Sequence, residues 1–147
     1  MNSKTSRINW NSISTWKKST KNAAWCLLGC SIGDFGTIFF FQITEIAFPI
    51  LGIMILAIIN GLLTSISLET FILMRQNFQL RNAIKTALGM SFISMISMEI
   101  AMNFTDFIFT GGAILNWHVL PIMLLAGFLT PLPYNYYKLK KYNISCH

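Results

Sequence analysis

Apolar residues in this chain do not alternate with polar ones. They run together in four stretches, residues 23–42, 46–68, 86–109 and 119–137. A bilayer core takes roughly 20 mostly apolar residues per helix, so each stretch is long enough to cross one. Short polar breaks separate them: Ile43-Thr44-Glu45, then residues 69–85 with Arg75, Gln76 and Asn77, then Thr110-Gly111-Gly112 through His118. The pattern predicts an all-α, polytopic membrane protein with four transmembrane helices. Pro49 and Pro121 fall in the first turns of the second and fourth stretches, where a missing N–H costs nothing. Pro131 and Pro133 lie late in the fourth and should kink it or end it early.

Composition points the same way. Of 147 residues 54% are hydrophobic and 11% charged, against about 25% charged in a water-soluble domain. With a mean hydropathy of +0.56, too little polar surface remains for a protein in water. Disordered, collagen-like and disulfide-scaffold classes fail as well, and the length allows one domain at most.

The placement of charge sets the orientation. Lys4, Arg7, Lys17, Lys18 and Lys21 precede the first stretch, Arg75, Arg81 and Lys85 join the second to the third, and Lys138, Lys140 and Lys141 follow the fourth. These are all the Lys and Arg in the chain, and the other two connections carry none. The positive-inside rule then puts both termini and the middle connection in the cytoplasm, as expected of a multi-pass cell-membrane protein. Three parts result: a basic N-terminal segment (1–22), a four-helix transmembrane domain (23–137) and a basic tail (138–147).

A net charge of +6 and a pI near 9.5 would suggest nucleic-acid binding in a soluble protein. Here the basic residues serve topology and the lipid surface is the partner. Ile8, Trp10, Ile13 and Trp16 recur near helical spacing, which fits either a short interfacial helix or a basic tail anchored by two Trp. The polar lead is long and a full span follows, so no secretory signal is expected.

The candidate chemistry is acidic. Of the five acids, Glu45 and Glu69 flank the second stretch and are expected to reach water. Asp34, Glu99 and Asp106 fall inside stretches, where an ionised carboxylate at mid-depth costs on the order of 3 kcal/mol. The midpoints of the first and third stretches fall near Ile32 and Ser97. With a rise of about 1.5 Å per residue, Asp34 and Glu99 each lie only about 3 Å beyond. Two parallel helices therefore carry an acid at one depth.

Faces agree with depth. Cys26, Cys30, Asp34 and Thr37 share one face of the first helix, and Ser91, Met95, Glu99, Met102, Asn103 and Asp106 share one face of the third. Close carboxylates either share a proton or hold a cation between them. The thiol and thioether neighbours favour a soft transition-metal ion such as copper(I) over Mg or Ca. Met and Cys also serve as ordinary fillers, and Ser94, Ser97 or Asn103 can bond a protonated Glu99. Cys26 and Cys30 sit one turn apart, about 5–6 Å between Cβ atoms, beyond the roughly 3.5–4.5 Å of a disulfide, so free thiols are expected. Cys146 is expected in the reducing cytoplasm.

Gly29, Gly33 and Gly36 have the small-xxx-small spacing that lets membrane helices approach closely, inside the bundle or between two copies. Enzymatic motifs are absent: there is no phosphate loop and no CxxC, and His118 and His147 are expected on opposite sides of the membrane. Asn103-Phe104-Thr105 matches a glycosylation sequon but lies within a span. His118 beside Trp117 reads as an interfacial pair.

Trp25-Cys26-Leu27-Leu28-Gly29-Cys30-Ser31-Ile32-Gly33-Asp34, Ser97-Met98-Glu99 with Asn103, Gly112-Ala113 before Trp117, and Pro133-Tyr134-Asn135 together resemble the Domain of Unknown Function 4396 family, from about Ala23 to His147. The resemblance implies a small four-helix membrane protein and gives no reaction. It marks Cys26, Cys30, Gly33, Asp34, Met98, Glu99, Asn103, Pro133, Asn135 and His147 as family positions. Trp25 stands where the family has His, Asp34 where it has Glu, Gly111 where it has Pro, and Cys146 where it has Gly. Losing a His beside Cys26 weakens any metal site built there.

The expectation is therefore a non-enzymatic membrane protein that binds or passes a small cation, a proton or a soft transition metal. The hypothetical cation site comprises Asp34, Glu99, Asn103, Cys26, Cys30 and Met98. The alternative is an accessory subunit of a larger membrane complex, or a homo-oligomer.

Overall fold

Residues 10–142 are described by the computed structural model, in which five helices follow one another. They are α1 (Ile13–Thr44), α2 (Ile50–Arg75), α3 (Leu80–Thr110), α4 (Leu120–Leu129) and α5 (Leu132–Tyr142). Among the described residues every regular element is helical. Lys4, Arg7, Ile8, Cys146 and His147 lie outside that range.

Helix ends follow local chemistry. α1 stops where Glu45 turns into the left-handed region at φ 50°. α2 begins at Ile50 rather than Ile46, because Pro49 takes the N-cap and a proline biases the residue before it away from helix. Asn77, at φ 68°, tolerates the left-handed region better than most residues and turns the chain between α2 and α3. Gly111 closes α3 at φ 74°, its N–H bonding Phe107 O, the backbone state that favours glycine after a helix.

α1 has 32 residues, about 48 Å at the α-helical rise, so the basic residues 17–21 form its early turns. Those turns rest on α5. Trp10 stacks on Tyr136 at a centroid distance of 5.0 Å, Trp16 meets the same ring at a tilt at 4.4 Å, and Ser12 N–H donates to the Tyr136 hydroxyl at 3.2 Å.

Among the described residues three helices are long and apolar enough to cross a membrane: α1, α2 and the Ser91–Thr110 part of α3. The fourth apolar stretch is not one helix. α4 has ten residues, about 15 Å, and the chain breaks at Thr130 and Pro131 before the lysine-bearing α5. Proline removes a helical hydrogen bond and clashes with the preceding turn, so the break falls where Pro131 placed it. Two hydrogen bonds cover the break: Thr130 Oγ1 donates to Ala126 O at 2.6 Å, and Ser19 of α1 donates to Leu132 O at 3.1 Å.

α1 packs most extensively against α2, and it touches α3, α4 and α5 as well. α2 in turn lies on α3, and α3 on α4. The bundle buries polar side chains among Ala, Cys and Met and is apolar outside. Asp34, Ser65, Glu69, Glu99, Asn103 and Asp106 are buried, while Ile32, Phe39, Leu51, Leu63, Ile93 and Phe104 are exposed. Soluble monomers rarely leave a continuous apolar surface of this kind in water, whereas lipid covers it at no cost.

Candidate functional site

Three glycines bring α1, α2 and α3 close enough for their polar side chains to meet. A Cβ on Gly29 would lie 2.6 Å from Ser65 Cα, and one on Gly33 would collide with the Asn60 carbonyl. The third is Gly61 on α2, which the sequence reading did not single out: a Cβ there would occupy the Glu99 carboxylate. Gly36, by contrast, faces open space. Two of the three glycines with small-xxx-small spacing thus build the α1–α2 seam, and the third does not.

In the pocket that Gly61 leaves, Glu99 of α3 faces Asp34 of α1 within electrostatic reach. Both are fully buried. Asn103, one turn beyond Glu99, holds the pair in register: its Nδ2 donates to Asp34 Oδ1 at 3.0 Å and to Glu99 O at 3.1 Å. Both Glu99 oxygens, Asp34 Oδ2 and Asn103 Oδ1 lack a well-aligned hydrogen-bond donor, although the Cys30 thiol lies against Glu99. Four buried acceptor atoms without such a donor are unusual, since such groups are nearly always paired.

The six residues of the expected cation site separate into levels. Asp34, Glu99 and Asn103 come together, with the Cys30 thiol beside Glu99. Cys26, one turn toward the N-terminus of α1, turns instead to α2, its thiol donating to Glu69 Oε1 at 2.6 Å. Met98 is buried and packs with Cys26, Cys30, Met95 and Met102 in one sulfur-rich cluster. Cys26 and Cys30 are free thiols. Among the described residues no three His, Cys, Asp or Glu side chains converge as a metal-binding group.

Glu69 corrects an expectation. It does not reach water but is fully buried, bonded by Cys26 and by Ser91 of α3. The α2 helix carries it inward because Gly61, Ser65 and Glu69 recur every four residues on one face. That face turns toward α1 and α3, and the spacing was readable in the sequence.

Asp106 is the fourth buried acid. It anchors the connection after α3, accepting from Thr110 Oγ1 at 3.1 Å and from Ile114 N–H at 3.1 Å, and it lies within electrostatic reach of Asp34. His118 and Trp117 are exposed and stand apart from this site. On the outer surface a groove of about 490 Å³ opens over Gly36, lined by Ile32, Thr37, Phe40, Asn60 and Thr64 among others.

Fold and site together define a small helical protein with three potential membrane-crossing helices and an acid-lined interior. Residues 15–143 match the family model described as "Domain of unknown function (DUF4396)", and the chain belongs to that family. No curated protein and no solved structure matches it.

Proposed function

We propose that this protein is a multi-pass membrane protein that binds a small cation, a proton before any metal, at Asp34 and Glu99. The observation that carries the reading is the set of four buried acceptor atoms on Asp34, Glu99 and Asn103 that lack a well-aligned donor. Two buried carboxyl groups facing one another cannot both stay charged without a cation between them. A shared proton satisfies two of the orphaned oxygens with one hydrogen bond. The proton is preferred because the Cys26 thiol turns away to Glu69 at a separate level and, among the described residues, no three His, Cys, Asp or Glu side chains converge as a metal-binding group. The sulfur-rich cluster around Met98 supports a soft cation such as copper(I) as the variant reading.

In this reading the chain crosses the membrane four times, α4 and the first turns of α5 together forming a broken fourth crossing. Pro131, at the break, is buried, and broken helices are tolerated at membrane depth where protein covers them. The exclusively basic flanks support a cytoplasmic position for both termini.

An accessory-subunit role is favoured by a different observation. The groove over Gly36 presents Asn60, bonded to Thr37 at 2.8 Å, and Thr64 among apolar side chains, which suits the helix of a partner.

One experiment separates the two. Asp34→Asn and Glu99→Gln, alone and combined, keep size and hydrogen bonding while removing charge. If the pair shares a cation, their effects on proton binding, read by infrared spectroscopy of the carboxyl groups, are strongly non-additive. Additive or absent effects, with assembly into a native complex intact, would favour the accessory role.

A further inference from the structure

The acid pair is the middle of a longer series. On α3, Ser91 marks the level of Glu69, to which it is bonded. Glu99 follows eight residues later, Asn103 marks the level of Asp34, and Asp106 follows at the far end. From Ser91 to Asp106 is a rise of about 22 Å, most of a hydrocarbon core of about 30 Å. Four buried carboxyl groups from three helices are therefore stacked along one axis.

The spaces between them hold groups that exchange protons. Between Glu69 and Glu99 lie the Cys26 thiol, bonded to Glu69, the Ser65 hydroxyl, bonded to Cys26 O at 3.3 Å and paired with Cys30, and the Cys30 thiol beside Glu99. Between Glu99 and Asp106 stands Asp34, within reach of both. No Lys or Arg occurs in residues 22–74 or 86–137, so no basic residue within the spans neutralises the series. The fully buried carboxyl groups of Glu99 and Asp34 lie midway along it.

The ends approach the ends of the bundle. Glu69 lies six residues before Arg75, the last residue of α2, and Asp106 four before Thr110, the last of α3. Asp106 is also tied to the connection after α3 through Ile114.

From this arrangement we infer that the protein conducts protons along the series, with Glu69, buried at its cytoplasmic end, as the inner port and Asp106, buried at its outer end, as the outer port. The inference rests on the proton reading of Asp34 and Glu99. Each transfer makes one O–H or S–H bond as another breaks. Every carboxyl, thiol and hydroxyl group takes one proton and gives one up, so the net result is one proton moved from one side to the other. No oxidant, reductant or co-substrate is needed. The flow follows whatever gradient is imposed.

The test uses the full chain in liposomes of neutral and anionic phospholipid enclosing a pH-sensitive dye, with a potassium diffusion potential driving protons. The intact protein should carry protons above the rate of empty liposomes. Glu69→Gln and Asp106→Asn should each lower that rate at least tenfold, and Glu69→Asp should restore part of it. In both port variants the infrared signature of the shared proton, defined as the carboxyl band lost in Glu99→Gln, should persist. No conduction by the intact protein, with the band present, would overturn the path and leave the binding site standing. Absence of the band in the intact protein would overturn the binding site itself. Conduction unchanged in both port variants would overturn the assignment of the ports.

Discussion

Gly61 of α2 and the Glu99 carboxylate of α3 share a space that one methyl group would fill. The relationship is asymmetric: the glycine is fixed backbone, whereas the carboxylate ends a flexible side chain. Gly61→Ala should therefore fold, at a cost of roughly 1–3 kcal/mol for overpacking, while driving Glu99 away from Asp34. Thermal unfolding in detergent should change modestly and the shared-proton signature should be lost. A variant that keeps the signature would show that Glu99 does not need the space beside Gly61.

Gly33 presents the opposite case. A Cβ there meets the Asn60 carbonyl, and backbone cannot step aside. Gly33→Leu should disrupt folding or assembly, because the α1–α2 seam depends on this approach. Leu28 is the control on the same helix: it is 49% exposed, and Leu28→Ala should cost about 0.5 kcal/mol or less. Equal yield and equal thermal stability of the two variants would refute the packing role of Gly33.

Orientation is checked with reporters. One fused after His147 should read cytoplasmic, and one inserted within residues 111–116 should read external, because every Lys and Arg flanks the other side. The same pair of fusions tests the broken fourth crossing. If both sites report the same side of the membrane, α4 and α5 do not cross it.

The legible parts of this protein are those where depth or periodicity constrains a residue. Asp34 and Glu99 are expected near one depth on two helices, and the structure buries both within electrostatic reach of one another, with Asp34 level with Asn103, one turn beyond Glu99. Cys26, Cys30, Asp34 and Thr37 share a helical face, and all four are buried. Glu69 was misplaced because hydropathy assigns it to the same polar break as Arg75, although its face on α2 points inward. Gly61 carried no signal alone, since a glycine's meaning here depends on Glu99 across the seam. The split between α4 and α5 followed from Pro131, but the Leu132 carbonyl at the break is bonded by Ser19, 113 residues away in sequence, a contact no local pattern encodes.

The cysteines decide between proton and soft metal. Cys26 and Cys30 pack with Met95, Met98 and Met102, donors that suit copper(I), yet the Cys26 thiol is already engaged by Glu69. Serine is close to cysteine in size, can donate the same hydrogen bond, and binds soft metals poorly. Cys26→Ser with Cys30→Ser should therefore leave the infrared signature of Asp34 and Glu99 in place if the cation is a proton. Under the soft-metal reading, copper(I) affinity measured against a competing chelator should fall at least tenfold, about 1.4 kcal/mol. The expected outcome is a retained signature, with no tight copper(I) binding to lose. Tight binding by the intact protein that disappears in the double variant would overturn the preference for the proton.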